Sequence, residues 1–329
     1  MKSFELKRGI AIALALILLC MTCCAEGVTP PFLRIDRDDP AAWEGELDNV
    51  RLLKEGLYHL GKIKSKYGVE PDFVPSTEGL DTLNISGSAQ FSVPQFHELA
   101  NTLRECADGR TIYIVDLRRE SHVMVNDGIA LSWYEVHNWS NVGKTLEEIE
   151  ADEAERFGAM VGQTLTAYGR EDDTPINQTD ITIESFITEK ALVESEGFQY
   201  YRMPIQDHTW PTPEELDDFI SFVKGLDPDQ SWLHFHCQAG SGRTGIMMTV
   251  YDMMRNPDVP MMDLVVRQTM LGGSYPLYVE DSDNYKAPLY QVKARMTPLL
   301  YEYIQEQHAS NYEIPWSQWL EAQDLQAAA

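Results

Sequence analysis

Apolar positions along the chain follow two spacings, short runs of strand type and longer segments with a period near 3.6, and their order predicts alternating strands and helices. Thr111-Ile-Tyr-Ile-Val115 reads as a short apolar strand with Asp116-Leu-Arg118 at its end. A helix is expected from near Val93, with Ser92 as cap and Pro94 in its first turn. Residues 119–140 read as a hairpin excursion, because Asn126-Asp127-Gly128 is a turn signal between mixed apolar runs. Residues 145–168 predict a helix whose acidic start is a solvated face, and the polar stretch 169–180 predicts a loop. From residue 198 the pattern is strand, helix, strand, helix. Phe198–Met203 is the first of these strands. Pro213–Lys224 is a helix announced by Thr212 as cap, Pro213 at the first position and Glu215 completing a capping box. Ser231–His236 is a buried strand, Thr244–Met254 a helix, and two further helices are expected near 260–270 and 287–306. This alternation predicts an α/β fold, a central and mostly parallel sheet flanked by helices.

The 329 residues, 43% of them apolar, suffice for a sizeable core without disulfide or metal staples. The amino terminus reads differently from the rest. Lys2, Lys7 and Arg8 precede an apolar run from Gly9 to about Cys20, followed by small and polar residues, the pattern of a secretory signal peptide over residues 1–25. The run is short for a spanning helix, which needs about 20 apolar residues. Cleavage after Cys23-Cys24-Ala25 would leave Glu26 as the mature start; lipidation at Cys20, Cys23 or Cys24 and an uncleaved anchor are the alternatives. Residues 26–50, rich in Pro and Asp, form an amino-terminal arm, and residues 51–329 the domain proper.

Charge sharpens the choice of function. The 26 basic and 52 acidic residues give 26 − 52 = −26. Removing residues 1–25 takes away three basic residues and one acidic residue, leaving 23 − 51 = −28. A nucleic-acid-coating protein is excluded, since its affinity comes from many Lys and Arg contacts to phosphate. Any anionic ligand must be captured by a local positive pocket against the overall field. Cys106 and Cys237 are the cysteines that remain after cleavage, too few for a disulfide scaffold.

Cys237 has a chemical explanation. In His236-Cys237-Gln238-Ala239-Gly240-Ser241-Gly242-Arg243-Thr244-Gly245 a thiol stands at a strand end, a small-residue turn follows, and a helix begins. Glycines let consecutive N–H groups converge into an oxyanion nest, and the positive end of the following helix points at the same place. Arg243 can fork two donors onto phosphate oxygens, and such surroundings favour a nucleophilic thiolate. The chemistry this serves is attack of Cys237 on a bound phosphate monoester, with residues 238–242 (Gln238, Ala239, Gly240, Ser241, Gly242) cradling the phosphate. Thr244 is expected to hydrogen-bond the thiolate, and His236 to orient the loop as a structural residue. Asp207 lies 30 residues upstream in Asp207-His208-Thr209-Trp210-Pro211-Thr212-Pro213. Loops at the carboxyl ends of parallel strands face one crevice, so Asp207 can serve as general acid and then base.

The Cys-x5-Arg loop, the Asp-His-x-Trp-Pro-Thr-Pro loop and the Arg34-x-Asp-Arg37 segment together resemble the bacterial protein-tyrosine-phosphatase-like, or cysteine, phytases. The resemblance covers about residues 32–306. It implies a phosphatase-type core with a small additional β-rich subdomain, placed within about 119–200. It further implies export, no metal or cofactor, and stepwise hydrolysis of myo-inositol hexakisphosphate. By the same resemblance Arg37, His208, Lys286, Tyr290 and Lys293 contact the polyanionic substrate. The Lys-x3-Tyr-x3-Lys spacing sets the last three on nearly one helical face, and Arg118 and Lys144 either join this rim or pair with carboxylates. Gln238 and Gly245 depart from the family's pattern, in which an acid and a second Thr are usual. The expected partner is thus a small inositol polyphosphate, with no nucleic acid and no membrane span in the mature chain. A phosphoprotein phosphatase and a non-enzymatic phosphate-binding module are the competing readings. A thiol protease is disfavoured, because His236 neighbours Cys237 on a strand and points away from it.

Overall fold

The computed structural model describes residues 28–36, 51–52, 67–70 and 72–323. The signal-peptide expectation, Arg37 and most of the amino-terminal arm lie outside the described residues.

Two sheets organise the chain. The central one has the order β10 (Gln199–Arg202), β4 (Thr111–Asp116), β11 (Ser231–His236), β3 (Ile85–Ser88) and β2 (Arg51–Leu52). Its first four strands are mutually parallel, and β2 pairs antiparallel to β3 at the edge. Alternation along β4 and β11 explains why helices cover both faces. Ile112, Ile114 and Trp232 join the core beneath α1 (Val93–Ala107), whereas Val115, Leu233 and Phe235 enter the larger opposite core. That larger core is completed by α4 (Pro213–Lys224), α5 (Gly242–Arg255), α6 (Met261–Met270), α7 (Ala287–Gln307) and α8 (Trp316–Ala322). The caps expected at Ser92 and Thr212 both form capping boxes.

The second sheet runs β8 (Thr174–Thr182), β7 (Thr164–Glu171), β1 (Phe32–Ile35), β6 (Ile129–Tyr134), β5 (His122–Val125) and β9 (Phe186–Thr188). β5 and β6 form the hairpin that Asn126-Asp127-Gly128 signals. One expectation is corrected here. The helix α2 spans Leu146–Met160 only, and residues expected as its last turns and as loop form the antiparallel pair β7–β8. The acidic helical start hid the switch of period at Val161, whose extended backbone (φ −60°, ψ 131°) ends the helix. The strand content of 174–182, Thr-Pro-Ile-Asn-Gln-Thr-Asp-Ile-Thr, is mostly polar because the hairpin is largely exposed. The short helix α3 (Glu189–Ser195) and the carboxyl-terminal α8, whose Trp316 and Trp319 are buried, were not anticipated.

Candidate active site

The loops after β4, β10 and β11 leave the same end of the parallel sheet, and the candidate residues sit on them. The loop after β11 starts at Cys237, which is 2% exposed, and runs straight into α5. Gly240 makes this turn possible: its φ is +64°, and a Cβ there would lie 2.5 Å from the backbone of Ser88 and Ala89. Gly245 allows a second close approach, since a Cβ would stand 2.6 Å from Gly273 Cα. Thr244 Oγ1 donates to Cys237 Sγ at 3.2 Å.

Arg243 curls back under the loop. It is 2% exposed and held by Glu120 in a two-point clamp, Nη1 to Oε2 at 2.7 Å and Nη2 to Oε1 at 3.0 Å. Its buried Nε makes no hydrogen bond among the described residues, though Asp207 Oδ1 lies 3.4 Å away. Asp207 follows β10, as sequence spacing suggests, and 14% of its side chain is exposed. Burial alone would raise its carboxyl pKa, but the Arg243 guanidinium overturns this and holds it below the ordinary value, with His208 acting in the same sense. Burial pushes His208 down to about 4, and Lys286, Arg243 and Lys293 add to the effect against Asp207. Neutral His208 carries no charge near pH 7, so Arg243 is the cation that keeps Asp207 ionised there.

Behind Arg243 a buried ion network reaches the second sheet. Arg118 bonds Glu120 Oε1 and Asp36 Oδ2, both at 2.9 Å, while Arg34 on β1 bonds Asp36 and Ser132. Arg118 thus pairs with carboxylates, as does Lys144, whose Nζ is 3.1 Å from Asp152. Gln238 Nε2 donates to the Asp36 carbonyl at 2.9 Å, tying the loop after β11 to the residue just beyond β1. His236 lies beneath, fully buried, with Nε2 2.6 Å from Glu189 Oε1 and its ring against Phe91. Asp116, Glu189 and His236 are the one trio among the described residues with ligand atoms close enough for a cation. Their charge is already answered by Arg202, with Nε 3.1 Å from Asp116, and by His122. Burial and Arg118 oppose a charged His122, but Asp116 overcomes them and raises its pKa to about 9.

Lys286, Tyr290 and Lys293, expected to contact substrate, lie at the start of α7, and of them Lys286 lines a cavity together with His208. Lys286 precedes α7 as its capping residue rather than lying within it, and Tyr290 and Lys293 follow on the helix. Lys293 Nζ sits 4.9 Å from the Tyr290 ring centre and Lys286 Nζ 5.4 Å from that of Tyr285. Burial lowers the Lys293 pKa to about 8, opposed by Asp207 and assisted by Lys286, which places all three within electrostatic reach. A cavity of about 350 Å³ opens between Arg170, Asp173, His208, Tyr285 and Lys286. His137 stacks on Tyr285 with ring centres 3.5 Å apart. Glu120, Asn138, His137 and Arg170 were not singled out from sequence. Glu120 had one visible signal, its place just beyond the apolar strand that ends at Asp116.

Residues 115–255 match the PTP-like phytase family, described as inositol hexakisphosphate. The chain is similar to the PTP-like phytase family over these residues. The tandemly repeated PTP-like phytase from Mitsuokella multacida superposes with a TM-score of 0.82 at 39% identity, over 90% of this chain and 50% of that one. A PTP-like phytase from Bdellovibrio bacteriovorus superposes at 0.68 with 28% identity, covering 89% of this chain and 95% of that one. The effector protein hopD2 of Pseudomonas syringae pv. tomato is 26% identical over 254 residues, which is 74% of this chain and 52% of that protein. The chain therefore spans about half the length of the curated relative and of the Mitsuokella protein. In this α/β architecture, which matches the PTP-like phytase structures, the central sheet carries the loop of Cys237, and the second sheet supplies Arg34 and the cavity wall.

Proposed function

We propose that the protein is an exported cysteine-dependent phosphatase that hydrolyses myo-inositol hexakisphosphate and lower inositol polyphosphates stepwise through a phosphocysteine. The observation that carries this reading is the convergence of Cys237 Sγ, the phosphate-loop Arg243 and Asp207 at one end of the parallel sheet. A related structure, the PTP-like myo-inositol phosphatase of Mitsuokella multacida, was solved with myo-inositol-(1,3,4,5)-tetrakisphosphate, at 38% identity to this chain. Export rests on the amino-terminal sequence pattern; no described helix is long and apolar enough to cross a membrane.

The phosphoryl group sits in the loop 237–242, with the unbonded Nε–H of Arg243 offered to one of its oxygens. Cys237 Sγ attacks phosphorus as the P–O ester bond breaks, and the departing alkoxide takes the proton of Asp207. An incoming dianion lies close to Asp207 and favours its protonated form, which offsets the pull of Arg243. Ionised Asp207 then takes a proton from water, the water oxygen attacks phosphorus, and the P–S bond breaks to release orthophosphate. Thr244 stabilises the sulfur anion as it leaves. Glu120 keeps the guanidinium in place, and Lys286, Lys293 and His208 receive the phosphates that are not reacting.

Side-by-side turnover of phytate and a phosphotyrosine peptide tests the substrate class. The reading requires higher kcat/KM on phytate. Preference for the peptide would move the assignment to a phosphoprotein phosphatase, and turnover of neither would leave a phosphate-binding module.

A further inference from the structure

Asn138 has a place in the site that the steps above do not use. It is 2% exposed and sits in the left-handed region, φ +65°, where Asn is tolerated and most side chains are not. Its amide nitrogen donates to Glu120 Oε1 and to Asp207 Oδ2, each at 3.0 Å, so one NH₂ group spends both hydrogens on two carboxylates. Its carbonyl oxygen accepts from Arg34 Nη1 at 3.2 Å. That surround fixes the orientation: the flipped amide would set its oxygen against two carboxylates and its NH₂ against a guanidinium. The next residue completes the grip, because Trp139 Nε1 donates to the Asp207 carbonyl at 2.9 Å.

We propose that Asn138 is a positioning residue that locks the Asp207 carboxylate against Arg243 and sets the pH at which the acid step is lost. This rests on the assignment of Asp207 as the acid in the proposed function. Asp207 and Glu120 are like charges that share one guanidinium, and the neutral amide between them is a donor to both. A donor to an ionised carboxylate favours that form, so Asn138 acts with Arg243 to keep Asp207 a strong acid. Five charged or titratable groups also bear on Asp207. They are Arg243 on α5, His208 on its own loop, Glu120 after β4, Lys293 on α7 and Tyr285 before it. Of these Arg243 alone also reaches both carboxylates, and none of the five is altered by substituting residue 138.

The test uses two variants of the full chain. Asn138→Asp keeps the shape and the acceptor for Arg34 but replaces the shared donor with a third carboxylate. Asn138→Gly removes the side chain at a φ that glycine adopts without strain. For each, kcat/KM is measured against pH on an inositol phosphate, whose alkoxide needs the acid, and on p-nitrophenyl phosphate, whose phenolate leaves without it. Removing the donor raises the Asp207 pKa, so the protonated acid persists to higher pH. The alkaline limb on the inositol phosphate is expected to move up by about one unit or more in Asn138→Asp, and by less in Asn138→Gly. With p-nitrophenyl phosphate the limb is expected to stay in place. A uniform fall on both substrates with unmoved limbs would overturn the proposal and leave Asn138 a packing residue. If Asn138→Asp does not fold, the same criteria apply to Asn138→Gly alone. Failure of the wild type to turn over either substrate would instead overturn the phosphatase reading itself.

Discussion

Replacing Gly240 by alanine places a methyl group where the phosphate loop crosses the end of β3. Two costs follow from the geometry. A left-handed residue with a Cβ costs about 1–2 kcal/mol, and Gly240 has φ +64°. The new Cβ also meets Ser88 C, Ser88 O and Ala89 N at 2.5 Å, all backbone atoms that no rotamer change can move aside. Opening that contact to an ordinary separation shifts the loop by roughly 1 Å and costs about 1–3 kcal/mol more. The sum, about 2–5 kcal/mol, corresponds to a fall in Tm of roughly 4–10 °C at about 2 °C per kcal/mol. A displacement of about 1 Å at the phosphate nest is expected to lower kcat/KM by about 10²-fold. Calorimetry and steady-state turnover read the two effects. Gly242→Ala is the internal control for stability, because a Cβ there meets nothing within 4 Å. If Gly240→Ala melts and turns over like the parent, the loop does not need the close crossing described above.

Two other outcomes follow from the electrostatics. Lys293, with its pKa lowered to about 8, loses its charge as pH rises through that value. KM for a polyphosphate is expected to rise over the same range, and Lys293→Met to raise it about tenfold at neutral pH (about 1.4 kcal/mol) while abolishing that dependence; an unchanged KM would remove Lys293 from the rim. His122 has a folded pKa of about 9, above its ordinary 6.5. Its stabilisation is therefore fully present below about pH 6.5 and lost as pH rises through about 9, up to about 3 kcal/mol. Thermal unfolding from about pH 6 to about pH 10 is expected to show this loss in the wild type and not in His122→Gln, and parallel curves would contradict it.

The parts of the site that lie on one continuous segment were legible from sequence, and those assembled from distant segments were not. Cys237, Arg243 and Thr244 are fixed by a strand, a glycine turn and a helix start that are local signals, and the Thr212 capping box marked the helix after Asp207. The partners that orient these groups come from far along the chain. Glu120 meets Arg243 across 123 positions, and Asn138 meets Asp207 across 69, so no window of sequence contains either pair. The misread hairpin β7–β8 has a similar cause. Its residues are polar because the strands are mostly exposed, and without alternating apolar positions the period-two signal is weak. Arg118 illustrates the reverse. Its charge alone fits a rim residue, and only the positions of Asp36 and Glu120 show it buried between carboxylates.

In the proposed reaction a phosphoryl group passes through the sulfur of Cys237. Rapid acid quench during turnover of labelled phytate, followed by peptide mass mapping, tests it directly. One phosphoryl group is expected on the Cys237 peptide, absent in Cys237→Ser and reduced in Asp207→Asn, where the departing alkoxide lacks its proton. Label on His236 or on any other residue, or turnover that survives Cys237→Ser, would contradict it.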